Sequence, residues 1–244
     1  SWSPPFEPID VRLEMSKDGG AGLLSRCDID PTVVAITGVT GGSSYAIEHW
    51  ENWCKSGIRS YHMKRNNAAL SDGVSRMSPW IHYGMISTTR MVRDASSIGG
   101  KGAEKFLDEM LVFREHAQHH VHATDNPDDW GNIPGWAISS WNDRNPELSE
   151  LSAIELERGM SGDRLWDSAQ TGLVRHGTMH NNVRMTWGKA FAGWREDAEE
   201  AMHLALEMND RFALDGRDPS SIAGVLWGSG LFDRAFGPND PVRG

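Results

Sequence analysis

Cysteine is nearly absent from this chain: Cys27 and Cys54 are the only two among 244 residues. Two thiols exclude a disulfide framework and fall short of a four-cysteine iron–sulfur cluster or structural zinc site. A reducing compartment is expected, the cytoplasm or, in a eukaryote, the nucleus. No stretch approaches the roughly 20 uninterrupted apolar residues that a membrane span needs, and the first residues lack the basic-then-apolar order of a signal peptide. No membrane partner is expected. Cations are in deficit, 24 Lys and Arg against 34 Asp and Glu, for a formal charge of −10. That balance disfavours indiscriminate nucleic-acid binding, because counterion release needs clustered Lys and Arg; a local basic groove stays open. Hydrophobicity nowhere alternates with period two for long, and neither an internal repeat nor a low-complexity tract is present. The first residue is not Met and the start is Pro-rich, so a piece of a longer protein is expected.

What is present is tryptophan, eleven against three tyrosines, within a hydrophobic content of 39% that suffices for a buried core. Residues 1–40 mix Pro4, Pro5, Pro8, Gly19, Gly20 and Gly22 with scattered apolar residues and read as a linker arm. From Gly41 the pattern turns helical: Tyr45, Ile47, Trp50 and Trp53 recur at near-helical intervals behind a candidate cap, Ser43 or Ser44. Residues 104–120 place Phe106, Met110 and Phe113 on one stripe. Further helices are expected between Ser161 and Gly177, from Thr178 to about Trp194, and from about Asp197 to Phe212. The stretch from Thr124 to Glu150, with Pro127, Pro134 and Pro146, reads as a long irregular excursion. The expected architecture is one all-α domain over residues 41–244, preceded by the extended arm.

Several groups of residues carry chemistry. The polar, glycine-punctuated segment from Tyr61 to Ser87 would expose backbone amides and hydroxyls, and Ser75, Ser78 and the amides around Met77 would suit a diphosphate at a helix N-terminus. An ordinary capped loop is the alternative. Arg184, Asp215, Arg217 and Asp218 would supply polar groups to a deep cavity between amphipathic helices, with Arg184 paired to Asp215, or else form a surface network. Trp187 and Trp194 stand two turns apart on one helix face and Trp166 on the preceding helix, a spacing that suits either core packing or a relay of oxidisable side chains. His116, His119, His120 and His122 lack an HExxH pattern or an acidic partner at ligand spacing, so structural or surface roles are expected and no metal.

The segment YHMKRNNAALSDGVSRMSPWIHYGMIS resembles the flavin diphosphate loop of the photolyase/cryptochrome family: an arginine–asparagine pair, a serine–arginine step and a serine–proline–aromatic–hydrophobic–histidine run. The likeness continues through FLDEMLVFREHAQHH, LWDSAQTGLVRHGTMHNNVRMTWGKAFAGW and LEMNDRFALDGRDPSSIAGVLWGSGLFDRAFG. The asparagine–aspartate–arginine step and DGRDP turn are most similar to the class II photolyases. The resemblance implies the family's helical domain holding a folded FAD, with Tyr61, Ser75, Met77, Ser78, Arg184, Asp215 and Arg217 around it and His82 to Gly84 a buried continuation of the loop. It implies Asn209 beside flavin N5, Glu109 (with Asp108 its rival) at the lesion, and Phe113 and Trp227 as walls for an extruded base pair. A carboxylic acid at Glu109 held against apolar walls would donate a hydrogen bond to the lesion. Trp187, Trp166 and Trp194 would be the proximal, intermediate and distal steps of a photoreduction chain. The implied activity is light-driven splitting of cyclobutane pyrimidine dimers in UV-damaged DNA. A cryptochrome-like photoreceptor and a non-repair flavoprotein are the alternatives. Class II members usually carry a basic pair where this chain has Phe113 then Arg114, which touches the lesion contacts. The family's amino-terminal α/β antenna domain lies outside these residues, removed or on a separate chain, and its chromophore is unknown.

Overall fold

A computed structural model describes residues 25–143 and 151–235. The greater part of the expected arm, residues 1–24, and the end of the expected irregular excursion, residues 144–150, lie outside the described residues. The chain divides into two units, Ser1–Ala35 and Ile36–Gly244. In the first, the described residues form no helix, and the backbone and hydroxyl of Thr32 both donate to the Asp30 carboxylate.

In the second unit every regular element among the described residues is helical. Helix α1 (Ser43–Ser56) buries Ala46, Trp50 and Trp53, one stripe at helical spacing. Its N-cap is Gly42 without a side-chain bond, not Ser43 or Ser44, which already lie inside the helix. A 3₁₀ turn (Ile58–Ser60) leads into α2 (Tyr61–Lys64), and α3 (Ser78–His82) follows the long polar loop, with Pro79 in its first turn, where a missing N–H costs nothing. Beyond α3 the chain surfaces: Tyr83 is 61% exposed and Gly84 is exposed, contrary to the buried run expected there.

Helices α4 (Thr88–Ile98) and α5 (Gly100–Asp108) form a hairpin. A Cβ at Gly102 would collide with the carbonyl oxygens of Ile58 and Arg59, so only glycine lets α5 lie this close to the 3₁₀ turn. The helix expected over 104–120 starts earlier and is not uniform, for a π-turn (Glu109–Phe113) separates α5 from α6 (Arg114–Ala123). The extra residue rotates the face, so Phe106 and Met110 are buried while Phe113 is 39% exposed.

The expected irregular excursion holds a 3₁₀ turn (Trp130–Asn132) and α7 (Gly135–Asn142), whose amides at Ala137 and Ile138 donate to the Pro134 carbonyl. After the short α8 (Ala153–Glu157) come α9 (Arg164–His176) and α10 (Asn181–Ala190). Their N-caps are Asp163 and His180, so both helices begin a few residues after the expected bounds at Ser161 and Thr178. Gly177 closes α9 in the left-handed conformation at φ 64°. A 3₁₀ turn (Phe191–Gly193) separates α10 from Trp194, so Trp187 and Trp194 do not share a helix. Helix α11 (Ala198–Phe212), capped by Asp197, is the most deeply buried, and α12 (Pro219–Gly228) packs along α10. Trp227, beyond the DGRDP turn, therefore stands on a helix.

Two aromatic cores result. One gathers Trp50, Trp53, Trp80, Met91 and Phe106 from α1, α3, α4 and α5. The other gathers Trp166, Trp187, Phe191 and Trp194 from α9, α10 and the turn after it, and that turn packs on α11. The loop before α3, the C-terminal end of α9 and the starts of α10 and α12 leave a cavity of about 500 Å³ among them.

Candidate functional site

Three chain segments build the cavity wall. The loop supplies Val74, Ser75, Arg76, Met77 and Ser78, with Tyr61 beside it. Arg76 stands at φ 54°, a left-handed conformation that a non-glycine residue adopts only where its surroundings hold it there. The His49 Nε2–H donates to the Ser75 carbonyl at 2.9 Å, and Met77 is buried beneath the loop. Burial pushes the Tyr61 hydroxyl above the ordinary tyrosine range, and the nearby Glu109 charge adds to the shift.

The facing wall comes from α9, the turn after it and α10. Its latch is His180, whose Nε2–H donates to the Arg65 carbonyl at 3.0 Å while its Nδ1 accepts the Asn182 amide at 3.2 Å. One nitrogen donates and the other accepts, so the ring is neutral. Burial depresses its pKa, outweighing the bond to the Arg65 carbonyl, which acts the other way. The Asn182 side chain adds a 3.2 Å bond to the Asn66 carbonyl.

The floor is ionic. Arg184 Nη2 reaches Asp215 Oδ1 at 2.9 Å with both side chains buried, the paired arrangement of the two the sequence leaves open, and Arg184 Nη1 also donates to Ser221 Oγ. Asn209 is fully buried behind Ser221 rather than on the wall: its Nδ2 donates to the Gly216 carbonyl at 3.0 Å and to Ser221 Oγ at 3.1 Å. Arg217 is exposed and does not line the cavity, because the turn that buries Asp215 and Asp218 on either side projects it outward. Asp218 does line it, while its carboxylate accepts both Arg114 Nη1 at 3.0 Å and Nη2 at 2.8 Å. Burial alone would raise the Asp218 pKa; the Arg114 guanidinium outweighs it and holds the carboxyl below the usual range.

Arg114 ties this floor to a second surface. Phe113 and Trp227 lie 5.7 Å apart between ring centroids, and Phe232 continues the wall 5.6 Å from Trp227. Phe232 also meets His116 and His120, so these histidines pack on an aromatic ring. Glu109 shares the π-turn with Phe113, but its neighbours are cationic rather than apolar: Arg65 Nη2 stands 2.7 Å and Lys105 Nζ 2.8 Å from its Oε1.

One turn beyond Val183 and Arg184 on α10 lies Trp187, 1% exposed. Its ring stacks on Trp166 at 6.3 Å with an interplanar angle of 6°, and Trp166 meets Trp194 edge-on at 4.8 Å. Trp166 therefore stands between the other two. Gln170, absent from the sequence reading, holds the Trp187 indole at 2.9 Å. A polar residue one turn after Trp166 on an apolar stripe was the signal.

Fold and site together define an all-helical domain built around a cofactor-sized cavity with a tryptophan stack behind one wall. No protein-family model matches the chain. Its sequence is 34% identical over 211 residues to the deoxyribodipyrimidine photo-lyase of Methanothermobacter thermautotrophicus, covering 86% of this chain and 46% of that protein. It is 30% identical over 243 residues to the deoxyribodipyrimidine photo-lyase of Oryza sativa subsp. japonica, covering 96% and 48%. The chain thus spans about half the length of the curated relatives it matches. Among solved structures, a class III photolyase from Agrobacterium tumefaciens superposes with a TM-score of 0.60 at 21% identity over 77% of this chain and 38% of that one. A cryptochrome from Synechocystis sp. PCC6803 does so with 0.63 at 15% identity over 84% and 42%. The chain belongs to the photolyase/cryptochrome family, and its architecture is that of the helical domain.

Proposed function

We propose that this chain binds FAD in the cavity and serves a photolyase that splits cyclobutane pyrimidine dimers in UV-damaged DNA. The observation that carries the reading is the Trp187–Trp166–Trp194 stack, which begins one helical turn from the cavity residue Arg184. The residues fit a flavin dinucleotide. The cavity's volume, about 500 Å³, lies in the range of cofactor sites. Ser75, Ser78 and the strained Arg76 turn offer hydroxyls and amides to phosphates, and the buried Arg184–Asp215 pair offers a fixed dipole to a polar ring edge. FAD, when bound, would supply light absorption and one-electron chemistry. Trp187, Trp166 and Trp194 would pass electrons toward the cavity, Asn209 would act on the ring edge through Ser221, and Arg217 would contribute charge from outside the wall. The Phe113–Trp227 wall would receive the extruded base pair by stacking, with Glu109 beside it. Placement near class II rests on the asparagine–aspartate–arginine step and the DGRDP turn.

The test is repair of a dimer-containing oligonucleotide by the FAD-loaded, photoreduced protein under blue light, with a dark control. Light-dependent restoration of thymines is expected. Flavin photoreduction without repair would overturn the enzyme reading and move a cryptochrome-like photoreceptor to the front, a reading that the −10 charge and the engagement of Arg114 by Asp218 favour.

A further inference from the structure

The polar side chain most at odds with its surroundings is Gln170. It is fully buried on the α9 face that also carries Trp166 and Leu173, where helical periodicity calls for an apolar residue. An amide there is costly unless both its ends are bonded. Both are: Oε1 accepts the Trp187 Nε1–H at 2.9 Å, and Nε2 donates to the Glu157 carbonyl at 3.2 Å. An indole N–H can only donate and a carbonyl can only accept, so the partners fix which way the amide points. The next indole follows the same rule, since the Trp166 Nε1–H donates to the Trp187 backbone carbonyl at 3.0 Å. Both inner indoles therefore end on amide oxygens, which are too weakly basic to take a proton near neutral pH.

We propose that Gln170 is a positioning residue of the tryptophan relay, one that fixes the Trp187 ring and denies its nitrogen a proton acceptor. The inference rests on the reading that Trp187 gives one electron to photoexcited flavin. An indole that has lost an electron becomes strongly acidic at its N–H. Against a base it would lose that proton and become a neutral radical, a poorer oxidant of its neighbour. Against the Gln170 carbonyl it keeps the proton and remains a radical cation. Trp166 then gives one electron to Trp187, and Trp194 one to Trp166. The balance is one electron gained by the flavin and one lost by Trp194, with no proton moved inside the stack.

Three proteins test this: wild type, Gln170→Leu and Gln170→His. The first readout, independent of flavin, is hydrogen exchange of the Trp187 indole N–H; Gln170→Leu should accelerate it about tenfold, the order of one lost hydrogen bond. The second is transient absorption of the flavin-loaded protein. Wild type should show a tryptophan radical cation and a first hop insensitive to deuterated water. In Gln170→His the proton should pass to the imidazole, giving a neutral Trp187 radical, a deuterium effect and a several-fold loss of charge reaching Trp194. Unchanged radical spectra in Gln170→His, or exchange and hopping in Gln170→Leu that match wild type, would overturn the proposal while the relay stands. If wild type forms no tryptophan radical, the relay fails and the proton-denying role falls with it; indole exchange alone then reads the hydrogen bond.

Discussion

Arg114 meets Asp218 through its two terminal guanidinium nitrogens, at 3.0 and 2.8 Å, and the same carboxylate caps α12 by accepting the Ser220 amide at 2.9 Å. One buried carboxylate thus fixes the start of α12 to α6, and with it the spacing of Phe113 from Trp227. Arg114→Leu would leave Asp218 buried without its cation, and the expected loss is about 3 kcal/mol of stability, read as a lower denaturant midpoint. Asp218 has a depressed pKa in the fold, so its stabilisation is fully present above the unfolded carboxyl pKa and disappears as pH falls through the folded value. Acid unfolding of Asp218→Asn should show a shallower pH dependence in that window than wild type.

Gly102 makes a different prediction. Nothing but hydrogen fits between its Cα and the carbonyls of Ile58 and Arg59, and backbone cannot move aside as a side chain can. Gly102→Ala should therefore destabilise by about 1–3 kcal/mol although alanine is the better helix former. A thermal midpoint at or above wild type would show that the two elements separate without cost.

How far the sequence revealed these relations depended on their range. Helix α11 was legible because its apolar spacing and its Asp197 cap are local, and Gly177 marked the end of α9 for the same reason. The Arg184–Asp215 pair was one of two arrangements left open by the sequence, because spacing alone does not tell a buried pair from a surface network. Helix α12 was not legible, because its Ser and Gly residues look like a turn until α10 is there to pack against. The π-turn also escaped, since it keeps every residue helical while rotating Phe113 toward Trp227 and leaving Glu109 to Arg65 and Lys105. The starts of α9 and α10 fell a few residues after the expected bounds at Ser161 and Thr178, at caps Asp163 and His180, because a cap is chosen by where the backbone turns. Ser161 instead donates to Asp167 at 2.6 Å. Arg114 is set by Asp218 and Ser220, 104 and 106 residues along the chain, whereas Asn209 and Gln170 bond groups 7 to 17 residues away that lie on other elements and that helical periodicity does not pair.

The latch at His180 should respond to mild acid. Its folded pKa is depressed by burial, so its contribution is present above the unfolded histidine pKa of about 6.5 and is lost as pH falls through the folded value. Protonation would place a donor where Nδ1 now accepts the Asn182 amide. Thermal midpoints of wild type should fall between about pH 7 and pH 5, with a weaker slope in His180→Asn, which keeps a capping oxygen but no titrating ring.

The two thiols separate cleanly. Burial, reinforced by Asp94 and Glu51, pushes the Cys54 thiol up to about 12, while Cys27 is exposed. At pH 8 a thiolate-selective reagent should modify one thiol per folded chain, at Cys27, and both after unfolding. Rapid labelling of Cys54 in the folded chain would contradict its packing.

The tryptophan stack makes the sharpest demand, because its order is fixed by contact. Trp166 touches both neighbours, at 6.3 and 4.8 Å between ring centroids, and Phe191 fills the space among the three rings. Phenylalanine has nearly the shape of the ring it would replace but is far harder to oxidise. Trp187→Phe should therefore suppress flavin photoreduction by an order of magnitude or more while the cavity still binds flavin. Trp166→Phe should leave the first electron step intact and abolish long-lived charge separation, since Trp187 would have no neighbour to refill it. Trp194→Phe should give an intermediate yield with fast back-transfer from Trp166. Photoreduction that survives Trp187→Phe unchanged would show that electrons reach the cavity by another route, and the stack would then be core packing.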